Sequence, residues 1–150
     1  MSEATIQTAV QETLQAMDAF GTGDVVINDW GILDGSMNNA PYVIIETADA
    51  VTSRQDTVTP VTNWQIPVTL FERFTDWAET YNNLRDRRQA IIDTFNEIGA
   101  NRSPGLGAVT ADVIRTDGPV GQWYDPNMDP ADNPLPVFIT QRMILEIEEY

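Results

Sequence analysis

A stripe of apolar residues at helical spacing opens the chain, and it consists of Ile6, Val10, Leu14, Met17 and Phe20. This spacing predicts a helix over residues 3–20. Ser2 is suited to cap its N-terminus, and Gly21 follows the last apolar position as a stop signal. The polar positions of this helix, among them Gln7 and Gln11, are expected to face solvent.

Two apolar runs then predict strands over residues 24–33 and 42–47, and the Asp34-Gly35 pair between them predicts a hairpin. The segment that follows, residues 48–63, is polar and rich in threonine, and it is longer than a usual hairpin connection. Two interpretations of this segment stay open: a projecting β-arm and a mobile surface loop.

Residues 64–74 alternate between apolar and polar positions, which predicts a strand that runs directly into a long helix. Pro67 lacks a backbone donor, so this strand is expected to lie at a sheet edge or to carry a bulge. Thr75 or Asp76 is expected to cap the helix, and Gly99 to end it. Arg88 takes one slot of an otherwise apolar stripe that comprises Trp77, Tyr81, Leu84, Ile91, Phe95 and Ile98.

Two further strands are predicted over residues 109–115 and 137–148, with a loop over residues 116–136 between them. Gln141 is the single polar member of the inward row in the last strand. The pattern assigns five large aromatic residues to the core: Trp30, Trp64, Trp77, Phe95 and Phe138.

The predicted elements follow the order α-β-β-β-α-β-β. This order favours an α+β fold in which a single, mostly antiparallel sheet of about five strands carries two helices packed on one face. A length of 150 residues, without an internal repeat or a linker, predicts a single domain over residues 1–150. The polar arm around residues 48–63 and the long loop around residues 116–136 would belong to that domain.

The composition changes the picture mainly by what it lacks. The chain has no His, no Cys and no Lys, and its eight basic residues are all Arg. General-base histidines, thiolate nucleophiles, Schiff-base lysines and zinc sites built on Cys or His are therefore excluded. A carboxylate-based hydrolase would need two converging acids in a cleft, and no pair stands at a diagnostic spacing. We predict that the protein is not an enzyme and uses no cofactor.

The formal net charge of −15 repels nucleic acid and anionic membranes, so a DNA-reading module is disfavoured. The apolar runs are too short to span a bilayer, and the N-terminus lacks the pattern of a secretory signal. We therefore expect a soluble protein that is made in a cytoplasm.

Residues 125–129, with the sequence Asp-Pro-Asn-Met-Asp, open like a calcium loop. Pro130 and Pro136 then stand where such a loop needs Gly and Glu. A turn-rich loop in which Asp and Asn act as turn formers is therefore favoured over a weak calcium site.

Two further patterns concern binding. Arg85 and Arg88 lie near one another on the long helix, where pairing with carboxylates is favoured over a phosphate patch. Trp123 and Tyr124 stand in a polar loop, as either a latch onto the domain's own core or an anchor for a partner.

The most suggestive stretch for a family is the strand Trp64-Gln65-Ile66-Pro67-Val68-Thr69-Leu70-Phe71, which leads into the helix segment Leu84-Arg85-Asp86-Arg87-Arg88-Gln89-Ala90-Ile91-Ile92. In element order and length, the whole chain resembles the tail terminator (tail completion) proteins of long-tailed bacteriophages and related particles. That family has no catalytic signature, so the resemblance rests on architecture.

The resemblance implies a structural protein of the virion, assembled in the host cytoplasm. It implies a ring, usually of six subunits, that caps the tail tube, ends its polymerisation and joins the tail to the head connector. The partners would be further copies of the chain, the tail tube protein and the connector or neck protein. Six copies at −15 each carry a formal charge of −90, so DNA would pass through a carboxylate-rich lumen without specific binding.

Two alternatives stay open. A neck or head-closure protein of the same particle would share the ring and bind the portal complex, whereas a monomeric binding domain would form no ring. In the ring hypothesis, the polar arm, the helix arginines and the aromatic loop make the subunit or partner interface: Arg54, Gln55, Asp56, Thr57, Arg85, Arg88, Trp123 and Tyr124.

Overall fold

A computed structural model of the protein describes residues 2–18, 20, 24–30, 41–54, 60–101, 109–127, 129 and 131–149. Within these residues the chain forms α1 (Glu3–Gln15), β1 (Val25–Ile27), β2 (Tyr42–Ile45), β3 (Asp49–Arg54), β4 (Pro60–Arg73), α2 (Trp77–Asn101), β5 (Val109–Trp123) and β6 (Phe138–Glu149). The α+β class is confirmed. The described sheet has six strands instead of about five, because the polar segment over residues 48–63 forms β3 and the start of β4.

The sheet is mixed, in the strand order β1-β2-β4-β6-β5. One side of the central strand β4 pairs with β6, and the other side pairs with β2 and, further along, with β3. β1 runs parallel to β2, with Val25 opposite Val43. The prediction of a hairpin and of a mostly antiparallel sheet is therefore wrong, because β1 and β2 begin at the same end of the sheet, whereas the two strands of a hairpin run in opposite directions.

Pro67 lies inside the central strand β4 and pairs with Ile144 in an unbroken register, so the prediction that it marks a sheet edge or a bulge is wrong. Its carbonyl accepts a hydrogen bond from the Glu46 N–H at 2.8 Å. The nitrogen and carbonyl of a strand residue point to the same side, so the proline nitrogen faces residues 46–48, between β2 and β3. The ladder is interrupted between β2 and β3, so no backbone carbonyl there requires a donor from Pro67. The interruption that a proline needs therefore lies in the neighbouring strands and not in β4 itself.

One face of the sheet packs both helices. Alternate residues of the strands point to this face and join the apolar stripes of α1 and α2 in one buried cluster. Its members include Ile6, Val10 and Leu14 of α1, Leu84, Ile91 and Phe95 of α2, and Val43, Ile66, Val68, Leu70, Met143 and Leu145 of the sheet. The sequence pattern thus identified the main core.

The ends of the helices differ from the predictions in part. Ser2 caps α1 as predicted, because its hydroxyl accepts the Thr5 N–H at 3.2 Å. α1 ends at Gln15 instead of residue 20, since the next turn tightens into an i to i+3 bond from the Met17 N–H to Leu14. Of the two proposed caps of α2, Asp76 accepts the Glu79 N–H at 2.8 Å.

Two elements of the C-terminal half are longer than predicted. α2 continues through Gly99 to Asn101, so Gly99 does not end it. β5 continues to Trp123, and the predicted loop over residues 116–136 shortens to the segment between β5 and β6. Register shifts between Val113 and Arg115 and between Asp117 and Gly121 keep the glycine- and proline-containing part of β5 within the strand.

The polar stripe of α1 hydrogen-bonds the sheet, so the expectation that Gln7 and Gln11 face solvent is wrong. Three side chains spaced four residues apart share one face of the helix. Their bonds join Glu3 to the Ala48 N–H (3.1 Å), Gln7 to the Glu46 carbonyl (2.9 Å) and Gln11 to the Val25 carbonyl (2.9 Å). α1 therefore covers the β1 edge and the break between β2 and β3 with side-chain hydrogen bonds.

The bond from Gln7 gives a testable prediction. Gln7→Met is expected to lower the free energy of unfolding by about 1–2 kcal/mol, because the Glu46 carbonyl loses its donor. Gln7 is only 5% exposed, so water cannot readily replace the amide. Urea denaturation measures the change, and Gln65→Met on exposed β4 surface is the matched control. Equal losses in the two variants would contradict the assigned role.

Within the described part of the chain, no helix combines the length and the apolar character that crossing a bilayer requires.

Candidate partner-binding surfaces

The sheet face opposite the helices carries a second buried cluster, formed by Tyr42, Ile44, Phe71 and Phe138. Phe138 lies at its centre. Its ring centroid is 5.8 Å from those of Tyr42 and Phe71 and 5.7 Å from that of Trp123. Because β4 ends and β6 begins here, we call this end of the sheet the aromatic end.

Trp123 and Tyr124 take different positions at the aromatic end. Trp123 is partly buried and packs on Phe138, as the latch hypothesis describes. Tyr124 is 43% exposed, and its hydroxyl donates to Gln122 at 2.7 Å. The pair therefore contributes one residue to the core and presents the other at the surface.

The assignment of Trp30 and Trp77 to the core is wrong, because these side chains are 48% and 43% exposed. Trp77 stacks on the exposed Tyr81 at 6.0 Å. In the first turn of α2 the fully buried residue is Thr80 and not Trp77. A polar side chain next to the predicted apolar stripe therefore takes the inward position there. Trp64, Phe95 and Phe138 are buried as predicted.

Arg87, in α2, forms a partly buried ion pair with Glu72. Its Nε donates to Glu72 Oε2 at 2.7 Å, and the Glu72 side chain is only 6% exposed. Burial raises the pKa of Glu72 above its ordinary value, and the charge and hydrogen bond of Arg87 offset part of that effect. An arginine, instead of a second carboxylate, is thus the charged partner of this buried acid.

The two arginines selected from the sequence, Arg85 and Arg88, have different environments. Arg88 donates to Gln141 at 3.0 Å, so the polar slot of the helix stripe meets the polar slot of the inward row in β6. Arg85 stays largely exposed, with its Nε 3.7 Å from a carboxylate oxygen of Asp86. Arg88 therefore serves the interior of the domain, and Arg85 remains a surface cation.

The polar arm is described only in part. β3 pairs with β4 from Asp49 opposite Gln65 to Arg54 opposite Pro60. Arg54 thus has a place in the ladder, whereas Gln55, Asp56 and Thr57 lie outside the described residues.

Two strands, β3 and β5, have an outer side without a ladder partner among the described residues. They lie on opposite sides of the sheet, since β3 flanks β4 and β5 flanks β6. β1 is also an outer strand, but its Val25 carbonyl already accepts a bond from Gln11 of α1. Within the described part of the chain, the sheet therefore has two different edges without a ladder partner, which we call the open edges.

The loop before β6 has the contacts of a turn. The Asp125 carboxylate accepts the Asn127 N–H at 2.9 Å, and the Asp129 carboxylate accepts the Ala131 N–H at 2.9 Å. Such bonds are typical of Asp in turns, which was the favoured interpretation. No group of three acidic side chains is arranged to hold a metal ion in the part of the chain that the structure covers.

Sequence reasoning missed Glu72, Trp77 and Tyr81 as surface or site residues. One signal for Glu72 was present, since it continues the inward row of Trp64, Ile66, Val68 and Leu70 as a charged residue. A buried carboxylate in such a row needs a cation, and Arg87 supplies it. The exposure of the two helix aromatics had no comparable signal.

Comparison with known proteins places the chain in no family. No protein-family model matches it, and a search of curated proteins finds no match.

Proposed function

We propose that the protein is a structural subunit of a long-tailed phage or a related particle, which forms a ring that caps the tail tube and joins it to the head connector. The observation that carries the proposal is the pair of strands on opposite sides of one sheet, β3 and β5, whose outer sides pair with no strand of the described residues. Two different surfaces suit a heterologous contact, in which one edge of each copy faces the other edge of its neighbour. Such contacts generate a ring when the rotation closes.

The details of the edges favour a closed assembly over uncontrolled strand pairing. β5 is 15 residues long and carries two register irregularities, which bend a strand and limit continuous pairing. On the other side, α1 covers the β1 edge through Gln11. Only part of each sheet side is therefore open to a neighbour.

The charge of the chain determines how the ring responds to salt. Each copy carries −15, so closing a ring brings like charges together. Salt screens this repulsion over roughly 10 Å at 0.1 M ionic strength. We therefore expect the ring to be more stable at higher salt, and its acidic lumen to leave DNA free to pass.

Native mass spectrometry of the purified protein over a range of concentration and salt, followed by negative-stain imaging, tests the proposal. We expect a discrete closed ring of about six copies whose fraction rises with ionic strength. A strict monomer under all conditions, with no ring on addition of tail tubes purified from the particle, would contradict the ring and favour a monomeric binding domain.

A second measurement separates the terminator from the neck alternative. Rings are incubated with purified tail tubes and, separately, with the portal complex of the same particle, and the bound fraction is pelleted. Binding to the tube alone supports the terminator. Binding to the portal complex alone supports a neck or head-closure protein and contradicts the tube-capping role.

A further inference from the structure

The exposed large apolar side chains of the described residues gather at the aromatic end, and they are Trp30, Trp77, Tyr81, Tyr124 and Leu135. Tyr124 and Leu135 lie in the segment between β5 and β6, which closes this end of the sheet. Trp30 packs on Phe71 near the end of β4, and α2 begins just beyond it. Single exposed apolar residues are ordinary on a protein surface, whereas several exposed aromatics close together are typical of interaction sites.

Ring and backbone contacts link two of these side chains, Trp77 and Tyr81, to the packed strands of the aromatic end. Trp77 packs between Tyr81 and Phe74, with ring centroids 6.0 and 4.8 Å away. The Phe74 N–H donates to the Val137 carbonyl at 2.9 Å, and Val137 packs against the second cluster. The helix aromatics are thus backed by the same packed strands that hold Phe138.

Acidic residues lie close to these aromatics along the chain, and we call them the acidic rim. Asp29, Asp76, Glu79, Asp125, Asp129 and Asp132 lie beside the exposed aromatics in sequence or in the loop at the same end. Asp76 and Glu79 flank Trp77 in the first turn of α2. Arg73 and Arg85 are the basic residues nearest to Trp77 and Tyr81 along the chain, and Asp76 and Glu79 lie between these two arginines.

We propose that the aromatic end binds a basic segment of a partner protein, which places apolar side chains on Trp77 and Tyr81 and its arginines or lysines against the acidic rim. Exposed Trp and Tyr are the residues that most often anchor interfaces, and their ring faces also attract cations. The acidic rim opposes a second copy of this chain, which carries −15 itself. The inference goes beyond the proposed ring, because the ring uses the strand edges and this site uses side chains at the sheet end.

Fluorescence anisotropy with a labelled 14-residue peptide of leucine and arginine at helical spacing tests this site. A leucine–glutamate peptide of the same length is the control probe. We expect the arginine peptide to bind, and Trp77→Ala with Tyr81→Ala to weaken its affinity about tenfold. These substitutions leave the net charge unchanged, so non-specific attraction between opposite charges cannot produce the difference.

Two matched charge variants test whether the acidic residues beside Trp77 contribute to peptide binding. Glu79→Gln and Asp93→Asn each remove one negative charge from the exposed surface of α2, but Asp93 lies about 20 Å further along the helix. We expect Glu79→Gln to weaken peptide binding about threefold and Asp93→Asn to leave it nearly unchanged. Circular dichroism checks that each variant is folded.

Three results would overturn the site: unchanged affinity in the aromatic double variant, equal loss in the two charge variants, or equally tight binding of the glutamate peptide. Self-association that disappears in the aromatic double variant would also overturn it, by making the surface a contact between copies. Native mass spectrometry of the same variant keeps the two proposals separate. Rings that persist while peptide binding is lost support the site, whatever becomes of the tail-tube assignment.

Discussion

Phe138→Ala is expected to lower the free energy of unfolding by about 3–5 kcal/mol, the usual cost of deleting a buried aromatic side chain. Phe138 is fully buried and contacts three aromatic rings, those of Tyr42, Phe71 and Trp123. Its removal leaves a cavity whose walls come from three strands, so local collapse cannot readily fill it. Urea denaturation followed by circular dichroism and tryptophan fluorescence measures the loss.

Leu135→Ala is the matched control, since Leu135 lies three residues earlier in the chain and is 55% exposed. We expect this variant to stay within about 0.5 kcal/mol of the parent protein. A Phe138→Ala loss no larger than the Leu135→Ala loss would show that the second face holds no packed core. Phe138→Leu, which keeps most of the volume, should lie between the two.

The main core was predictable because its signal is local. Period-3.6 and period-2 patterns place Val10, Leu84, Ile91, Val68 and Leu145 on the faces that meet in the interior, and the structure buries all five. This agreement needs no knowledge of strand order, since any arrangement that buries these faces uses the same residues. The α+β class follows from the same patterns.

Strand direction and pairing were not predictable in the same way, because they depend on contacts between distant residues. β1 and β2 have the apolar pattern of a hairpin, yet Val25 pairs in parallel with Val43. A proline such as Pro67 is compatible with an edge strand, and it is equally compatible with a central strand whose neighbouring strand is interrupted beside it. Only the position of residues 46–48 decides between the two.

Polar residues at inward positions show how far the candidate site could be predicted from the sequence. The sequence identifies Arg88 and Gln141 as exceptions in their stripes, but their 3.0 Å hydrogen bond depends on how α2 lies across β6. The stripe of Glu3, Gln7 and Gln11 looks solvated because the backbone groups that it satisfies belong to other elements. Trp123 and Tyr124 were recognised as a pair, while the exposure of Trp77 emerged only from packing.

Arg87→Met is expected to lower the free energy of unfolding at neutral pH by about 3 kcal/mol, because it leaves the Glu72 carboxylate buried without its cation. The matched control is Arg142→Met. Arg142 pairs with Glu46 at 2.9 Å, but its side chain is 46% exposed, so we expect a loss of less than about 1 kcal/mol. Glu72→Gln keeps an acceptor for Arg87 and removes the buried charge, so its loss should also be below that of Arg87→Met.

The pH dependence identifies the cause of the Arg87→Met loss. Burial raises the pKa of Glu72 above 4.5, so its contribution to stability is fully present below that pH and is lost as the pH rises through the folded-state pKa. Arg87→Met removes the charge and the hydrogen bond that lower this pKa, so the pKa rises further and the penalty at neutral pH grows. Urea denaturation between pH 4.5 and 7.5 should therefore show a loss that shrinks as the pH falls. In the double variant with Glu72→Gln, no carboxyl remains at position 72 to titrate. The loss of unfolding free energy relative to the Glu72→Gln single variant should therefore be small at every pH. A loss from Arg87→Met that is independent of pH and persists in the double variant would instead assign the role of Arg87 to packing of its aliphatic stem.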